Sequence, residues 1–234
     1  MIKYVKDAST AIAYLDGAIS INNCDFLIDE CKKQYDKLFS QGPTIGGVNT
    51  LIKNSMDFGL SEESDKIYDT GNNNFSTATA FVLDGLWSAM ALYIEAFKEL
   101  QHATALSSTG FRLQHYKRQH GYYRRHHDGA PWDPDPINRR VLGVVIYLNT
   151  IECGGGTEFP EQGCEIDAVA GRVAIFPSNW THPHAGKVPI SCDKWIISTF
   201  IVCDRIQHDS ATIIQPQQIE SYEYVEQQLK KENK

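Results

Sequence analysis

The chain has 234 residues, 42% of them hydrophobic, enough apolar material for one sizeable core. Twenty-nine acidic against 22 basic residues leave a formal charge of −7 with no long basic run, which argues against a nucleic-acid partner. The opening MIKYVKDASTAIAYLDGAIS lacks an apolar h-region, no stretch approaches the ~20 apolar residues of a membrane span, and six cysteines without a C-x-x-C pair suit neither a zinc ribbon nor a disulfide scaffold.

The expectation is a soluble, cytoplasmic protein without membrane contact, monomeric or homodimeric. From Asn22 to Gln41, Leu27, Cys31, Tyr35 and Leu38 recur at three- and four-residue steps, with Asn22 or Asn23 as N-cap and Gly42-Pro43 as a stop, which predicts a helix. Residues 42–74 are rich in Gly, Asn, Ser and Asp and read as loops with a short strand near Asn49–Asn54. Ser76 is placed to cap a second helix reaching about Ala103, with Phe81, Trp87, Met90, Ile94 and Phe97 on its core side. Gly85 inside it costs roughly 1 kcal/mol against alanine.

After Gly110 the texture changes to period-two and short apolar runs at Phe111–Tyr116, Val141–Leu148, Gly171–Phe176 and Lys194–Val202, parted by turn-rich segments such as 129–136 and Cys153-Gly-Gly-Gly156. With no helical pattern between these strands, an antiparallel sandwich or jelly roll fits better than a parallel sheet. The predicted fold is α+β, mainly β. Residues 1–234 read as a single domain: an N-terminal helical support region (1–110), a jelly-roll core (111–205) and a peripheral tail (206–234) with a helix near Glu220–Lys231.

Six of the eight histidines fall between positions 115 and 184. In RRHHDGAPWD, His126-x-Asp128 is a metal half-site, with His127 the competing ligand, and His182 or His184 can supply a third group. Two imidazoles and a carboxylate on one face of an octahedron leave three positions open, as a non-haem ferrous ion needs, whereas zinc normally closes tetrahedrally. Alone, an H-x-D in a wet loop more often bonds to itself. Along the 141–149 strand, Tyr147 and Asn149 share one face, opposite Leu142, Val144, Ile146 and Leu148. Lys194, ten residues after His184, offers a fixed cation to a buried carboxylate.

The ordered set Tyr116…Tyr123-Arg-Arg-His126-His-Asp128, Arg140…Tyr147-Leu-Asn149, Gly154-Gly-Gly-Thr157-Glu-Phe159-Pro160, Gly171-Arg-Val-Ala-Ile-Phe176-Pro177 and His184-(nine residues)-Lys194-Trp195 resembles the iron(II)- and 2-oxoglutarate-dependent dioxygenases. The branch it resembles is the prolyl 4-hydroxylase-like one. The resemblance implies a double-stranded β-helix (jelly roll, cupin-like) core flanked by N-terminal helices. It also implies Fe(II), 2-oxoglutarate and O2, with ascorbate as a candidate reductant.

Position by position, the resemblance makes His126, Asp128 and His184 the iron ligands and catalytic centre, with His127 a bystander. It assigns Lys194 to the distal carboxylate of 2-oxoglutarate, Tyr116 and Tyr147 as donors to the same group with Thr157 nearby, and Arg140 to the substrate side. The favoured reaction is hydroxylation of prolyl residues in a peptide or protein, with release of succinate and CO2. Its alternatives are the same chemistry on a free amino acid or other small molecule, and a non-catalytic cupin-like binding module. Phe200 stands where collagen-type members commonly have Trp, and Gln119-His120-Gly121 replaces a Gly-Gly, so the departures touch the substrate side. Segments 129–136 and 61–74 are candidate lids.

Overall fold

In the computed structural model, which describes residues 1–44, 46–63, 66–67, 73–102, 106–129 and 140–203, the period-two segments pair into two antiparallel sheets. The major sheet runs in the order Lys3–Tyr4, Ala13–Leu15, Val173–Pro177, Arg140–Tyr147, Lys194–Cys203, Phe111–Tyr116, Met56–Glu63, Ser40–Gln41. The minor sheet runs Cys164–Ile166, Thr157–Phe159, His184–Gly186, Tyr122–His126, Lys53–Asn54. From Phe111 onward the chain alternates between them: major, minor, major, twice minor, major, minor, major. This is the path of a double-stranded β-helix.

Strand alternation sorts the side chains as the sequence predicts. Leu142, Val144, Ile146 and Leu148 join a core between the major sheet and the helices, while Val145 and Tyr147 turn into a second cluster between the sheets. The four expected major strands are present.

The helices differ in detail. The first, α1 (Ile21–Lys33), is capped by Ser20, whose Oγ accepts from the Asn23 N–H at 3.2 Å, so neither Asn22 nor Asn23 is the cap. It breaks at Gln34 before a single turn, α2 (Tyr35–Leu38). The long helix α3 (Asn73–Ala96) starts three residues before Ser76, and its buried stripe is Phe75, Ala78, Val82, Leu86, Ala89 and Tyr93 with Met90. Trp87, expected inside, is 37% exposed.

Close approach explains the rotation. A Cβ at Gly85 would stand 2.7 Å from Ile19 Cγ1 and 2.9 Å from the Ala18 carbonyl oxygen, so the Gly85 face presses onto that segment and Trp87 is left at the flank. By length and composition Thr77–Ala96 reaches what a membrane span requires, which the count of apolar runs had not shown; here its apolar face is taken up by the core beneath the major sheet.

The N-terminal region also supplies strands that the sequence conceals. Met56–Glu63 pairs with Phe111–Tyr116, yet Asp57 and Gly59 interrupt its apolar alternation. Asp57 is buried because Lys53 Nζ meets it at 2.6 Å and Ser55 Oγ donates to it at 2.7 Å. The tail, with its expected helix near Glu220–Lys231, lies outside the described residues.

Candidate active site

Tyr122–His126 and His184–Gly186 are neighbours in the minor sheet, and their register sets His126 opposite His184. The turn after Tyr122–His126 brings Asp128 back between the two rings. His126 Nε2 lies 3.3 Å from Asp128 Oδ1, and His184 Nε2 lies 3.3 Å from Asp128 Oδ2. The main-chain N–H groups of Asp128 and Gly129 both donate to the Ser178 carbonyl, at 3.0 and 2.7 Å, which fixes the turn.

Each imidazole is oriented from behind. His126 Nδ1 faces the Arg124 carbonyl at 2.8 Å and His184 Nδ1 faces the His182 carbonyl at 3.1 Å. A carbonyl oxygen only accepts, so each Nδ1 carries a proton and each Nε2 turns to the cluster. Tyr123 stacks on His126 with ring centroids 3.6 Å apart. Gly143 makes the space beneath: a Cβ there would lie 2.5 Å from Phe176 Cε2 and 3.0 Å from Asp128 Oδ2.

Burial works against the Asp128 charge, but the His184 and His126 rings outweigh it and hold the carboxyl well below the usual carboxylate range. Burial lowers the pKa of His126. At His184 burial pulls the same way and is overcome by the Asp128 charge, which raises it. The proton that Asp128 retains on its neighbours is what a divalent cation would displace.

These three residues are the metal-capable group among the described residues, their ligand atoms all within 4.8 Å of one another. Two imidazole nitrogens and one carboxylate on the same side, with the other side open to a cavity of about 650 Å³, fit ferrous iron with vacant positions better than a closed tetrahedral zinc site. His182 is not part of it, because its Nε2 turns to the Thr10 carbonyl at 2.8 Å. His127 faces the Gly129 carbonyl through Nδ1 at 2.9 Å.

Lys194 begins the strand that pairs with Phe111–Tyr116, directly opposite Tyr116. Its side chain is fully buried, and its ammonium donates to the Gly155 carbonyl at 2.9 Å and lies 4.6 Å from the Tyr116 ring centroid. Burial pushes its pKa down to about 7, against only a distant pull from Glu165. A buried ammonium with no carboxylate beside it among the described residues is costly, and a dicarboxylate entering the cavity would relieve it. The residues therefore fit 2-oxoglutarate as well as iron.

The glycine run is what lets backbone carbonyls reach Lys194. Gly154 and Gly155 hold φ +71° and +75°, and a Cβ on Gly154 would lie 2.3 Å from the Val188 oxygen. Asn149 clamps the start of the same strand, accepting from the Trp195 N–H and donating to the Asp193 carbonyl, each at 2.8 Å.

The remaining expected residues divide. Thr157 and Tyr116 line the cavity, the Tyr116 hydroxyl donating to Gln114 Oε1 at 2.7 Å. Tyr147 stands one layer behind, its hydroxyl 2.6 Å from Thr157 Oγ1, so Thr157 rather than Tyr147 forms the wall there. Strand alternation turns Tyr147 inward, but the short Thr157–Phe159 strand passes in front of it. Arg140 lines the cavity at its other end, 3.6 Å over the Phe200 ring, with NH1 donating to the Asp128 carbonyl at 3.2 Å.

Arg112, Gln114 and Lys53 also line the cavity and were not singled out from the sequence, as does Tyr123, which the motif contains but to which no role was given. Period-two spacing from Tyr116 would have found Gln114 and Arg112; nothing local marks Lys53. Of the expected lids, residues 130–136, 64–65 and 68–72 lie outside the described residues.

Residues 111–202 match the family model of the 2OG-Fe(II) oxygenase superfamily. No curated protein matches the chain. Among solved structures, it is similar to the viral collagen prolyl hydroxylase vCPH of Paramecium Bursaria Chlorella virus-1 in its 2OG complex, at 20% identity and TM-score 0.59, over 83% of this chain and 97% of that one. It is also similar to a Trichoplax adhaerens prolyl hydroxylase in complex with a hypoxia inducible factor oxygen degradation domain peptide fragment, at 17% identity and TM-score 0.61, over 83% and 84%. A Pseudomonas putida prolyl-4-hydroxylase aligns at 19% identity and TM-score 0.58, over 84% and 96%. At these identities the likeness to the three structures is one of fold.

Proposed function

We propose, from the match of residues 111–202 to the 2OG-Fe(II) oxygenase family model, that the protein is an Fe(II)- and 2-oxoglutarate-dependent dioxygenase that hydroxylates prolyl residues in a peptide or protein. The observation that carries the reading is one cavity holding both a His126, Asp128, His184 cluster and the uncompensated ammonium of Lys194. A non-catalytic binding module has no use for both. The prolyl substrate is supported by the fold shared with the viral, Trichoplax and Pseudomonas prolyl hydroxylases.

In this reading His126, Asp128 and His184 hold iron through Nε2, a carboxylate oxygen and Nε2. Bound there with 2-oxoglutarate and O2, ferrous iron supplies the oxidative decarboxylation that yields succinate and CO2 and puts one oxygen atom on an unactivated C–H carbon. The chain's own residues do the positioning. Lys194 anchors the distal carboxylate, with Thr157 at its side and Tyr116 presenting its ring. Arg124 and His182 hold the two imidazoles through their main-chain carbonyls. Phe159 and Phe176 pack on His184 and keep water from that flank. Arg140 meets the substrate.

Succinate release under air, with Fe(II), 2-oxoglutarate and ascorbate supplied, tests the proposal against proline-containing peptides and free proline. Peptide-stimulated release with a mass gain of one oxygen atom on the peptide is the expected result. Stimulation by free proline alone would move the substrate to a small molecule, and no turnover with iron bound would remove the enzyme reading.

A further inference from the structure

The cavity carries the opposite charge from the chain around it. In a protein of net charge −7, its described walls present Lys53, Arg112, Arg140 and Lys194 against the single carboxylate of Asp128. Lys53 is neutralised by Asp57 at 2.6 Å, and Lys194 is the proposed anchor of 2-oxoglutarate. Arg112 and Arg140 are left over. Among the described residues neither guanidinium has a carboxylate at ion-pair distance.

Arg140 is held ready rather than satisfied. It lies flat on Phe200, gives one N–H to the Asp128 carbonyl, and keeps a buried Nε without a hydrogen-bond partner. A buried N–H left unpaired is costly, so the Arg140 Nε points to a ligand that satisfies it. Arg112 is exposed at the mouth, and its charge acts on Arg140.

Strand register separates this pair from the co-substrate anchor. Tyr116 faces Lys194 and Arg112 faces Ser198 on the neighbouring strand, four residues along, roughly 13 Å at ~3.3 Å per residue. Arg140 faces Val202, farther still along that strand, so with Lys194 taken by the co-substrate the two arginines are available to a different anion. Two guanidinium forks suit a carboxylate, which accepts N–H bonds in pairs.

We infer that Arg112 and Arg140 receive a carboxylate of the substrate, supplied by an Asp or Glu side chain or by a peptide C-terminus, so that the protein selects acidic peptides. The inference rests on the oxygenase reading proposed above and adds the chemical class of the substrate.

The test uses protein loaded anaerobically with Fe(II) and 2-oxoglutarate. It compares binding of short proline peptides, amidated at the C-terminus, that differ only in Asp, Asn or Lys beside the proline. A further Asn peptide has a free C-terminal carboxylate, and a further Asp peptide has alanine for proline. Binding at least tenfold tighter for Asp than for Asn or Lys, with the order of Asp and Lys reversed in Arg112→Glu, is the expected result and assigns a side-chain carboxylate. If instead the free-terminus peptide gains the tenfold and loses it in Arg112→Glu, the carboxylate is the chain terminus. Equal binding of all the peptides in both proteins overturns the inference, and the prolyl reading survives if any of them gains an oxygen atom under air. Charge-selective binding that ignores the proline, with no peptide oxidised, keeps the inference and rejects the prolyl substrate.

Discussion

The Lys194 ammonium lies 4.6 Å from the centroid of the Tyr116 ring, which faces it across the strand pair. The aromatic face and the Gly155 carbonyl hold this cation without neutralising it, and the first prediction concerns its removal. Lys194→Met is expected to leave the unliganded fold as stable as before or firmer, because an uncompensated buried charge has gone. Truncating one partner of a buried charge pair costs about 2–5 kcal/mol, so the KM for 2-oxoglutarate should rise roughly 30-fold to several thousand-fold. A KM within threefold of wild type would take Lys194 out of the co-substrate site.

The same residue sets a pH dependence. Burial lowers its pKa from 10.5 to about 7, while the unfolded chain keeps the ordinary value. Between these values the unfolded state binds more protons, so this group makes the unliganded protein less stable as pH falls from 10.5 towards 7. A bound carboxylate restores the charged form, so 2-oxoglutarate binding takes up a proton above pH 7 and its Kd should worsen by up to about tenfold per pH unit there. Calorimetry in buffers of different ionisation heat between pH 7 and 9 reads the uptake directly. A pH-independent Kd with no proton uptake would contradict it.

Metal loading should be visible as stability. A ligand at 100 times its Kd contributes about 2.7 kcal/mol, roughly 5–10 °C in Tm for a chain of this size. Fe(II) under argon, or Mn(II), is expected to produce this shift in the wild type and none in Asp128→Ala, His126→Ala or His184→Ala. His182→Ala should retain it, since that ring turns to Thr10. The measurement is thermal unfolding with and without the ion.

Lys53 and Asp57 form an ion pair with side chains only 3% and 1% exposed. Lys53→Met leaves the Asp57 carboxylate buried with Ser55 alone, which is expected to cost about 3–5 kcal/mol. The double variant Lys53→Met, Asp57→Leu should recover most of that loss in urea unfolding. Single and double variants of equal stability would show that the pair is not mutually compensating.

Much of the architecture was readable along the chain. Period two in Phe111–Tyr116, Val141–Leu148 and Lys194–Val202 marks strands because alternate side chains meet a core, and that signal is local. The short strands at Thr157–Phe159, Cys164–Ile166 and His184–Gly186 have only three residues each, too few to show a period. Met56–Glu63 was missed because Asp57 looks like a loop residue until Lys53 is set against it. On α3, Met90 is buried and Phe81, Ile94 and Phe97 pack against the core as expected, while Trp87 is left out because the close contact of Gly85 with Ala18 and Ile19 centres the buried stripe elsewhere.

The sequence by itself determined an antiparallel, mainly β core and the H-x-D with candidate downstream histidines, since strand periodicity and short motifs are properties of neighbouring positions, and the ordered motifs narrowed these by resemblance to a jelly roll with His126, Asp128 and His184. The choice of His184 over His182 came from the resemblance and the spacing to Lys194, and the structure turns His184 to Asp128 and His182 to Thr10; only the tertiary structure decided that Thr157 stands in front of Tyr147 and that Arg112, Arg140 and Lys53 share one cavity with Lys194. Those relationships join strands far apart in the chain, where sheet register and the packing of one sheet on the other, rather than local pattern, bring the groups together.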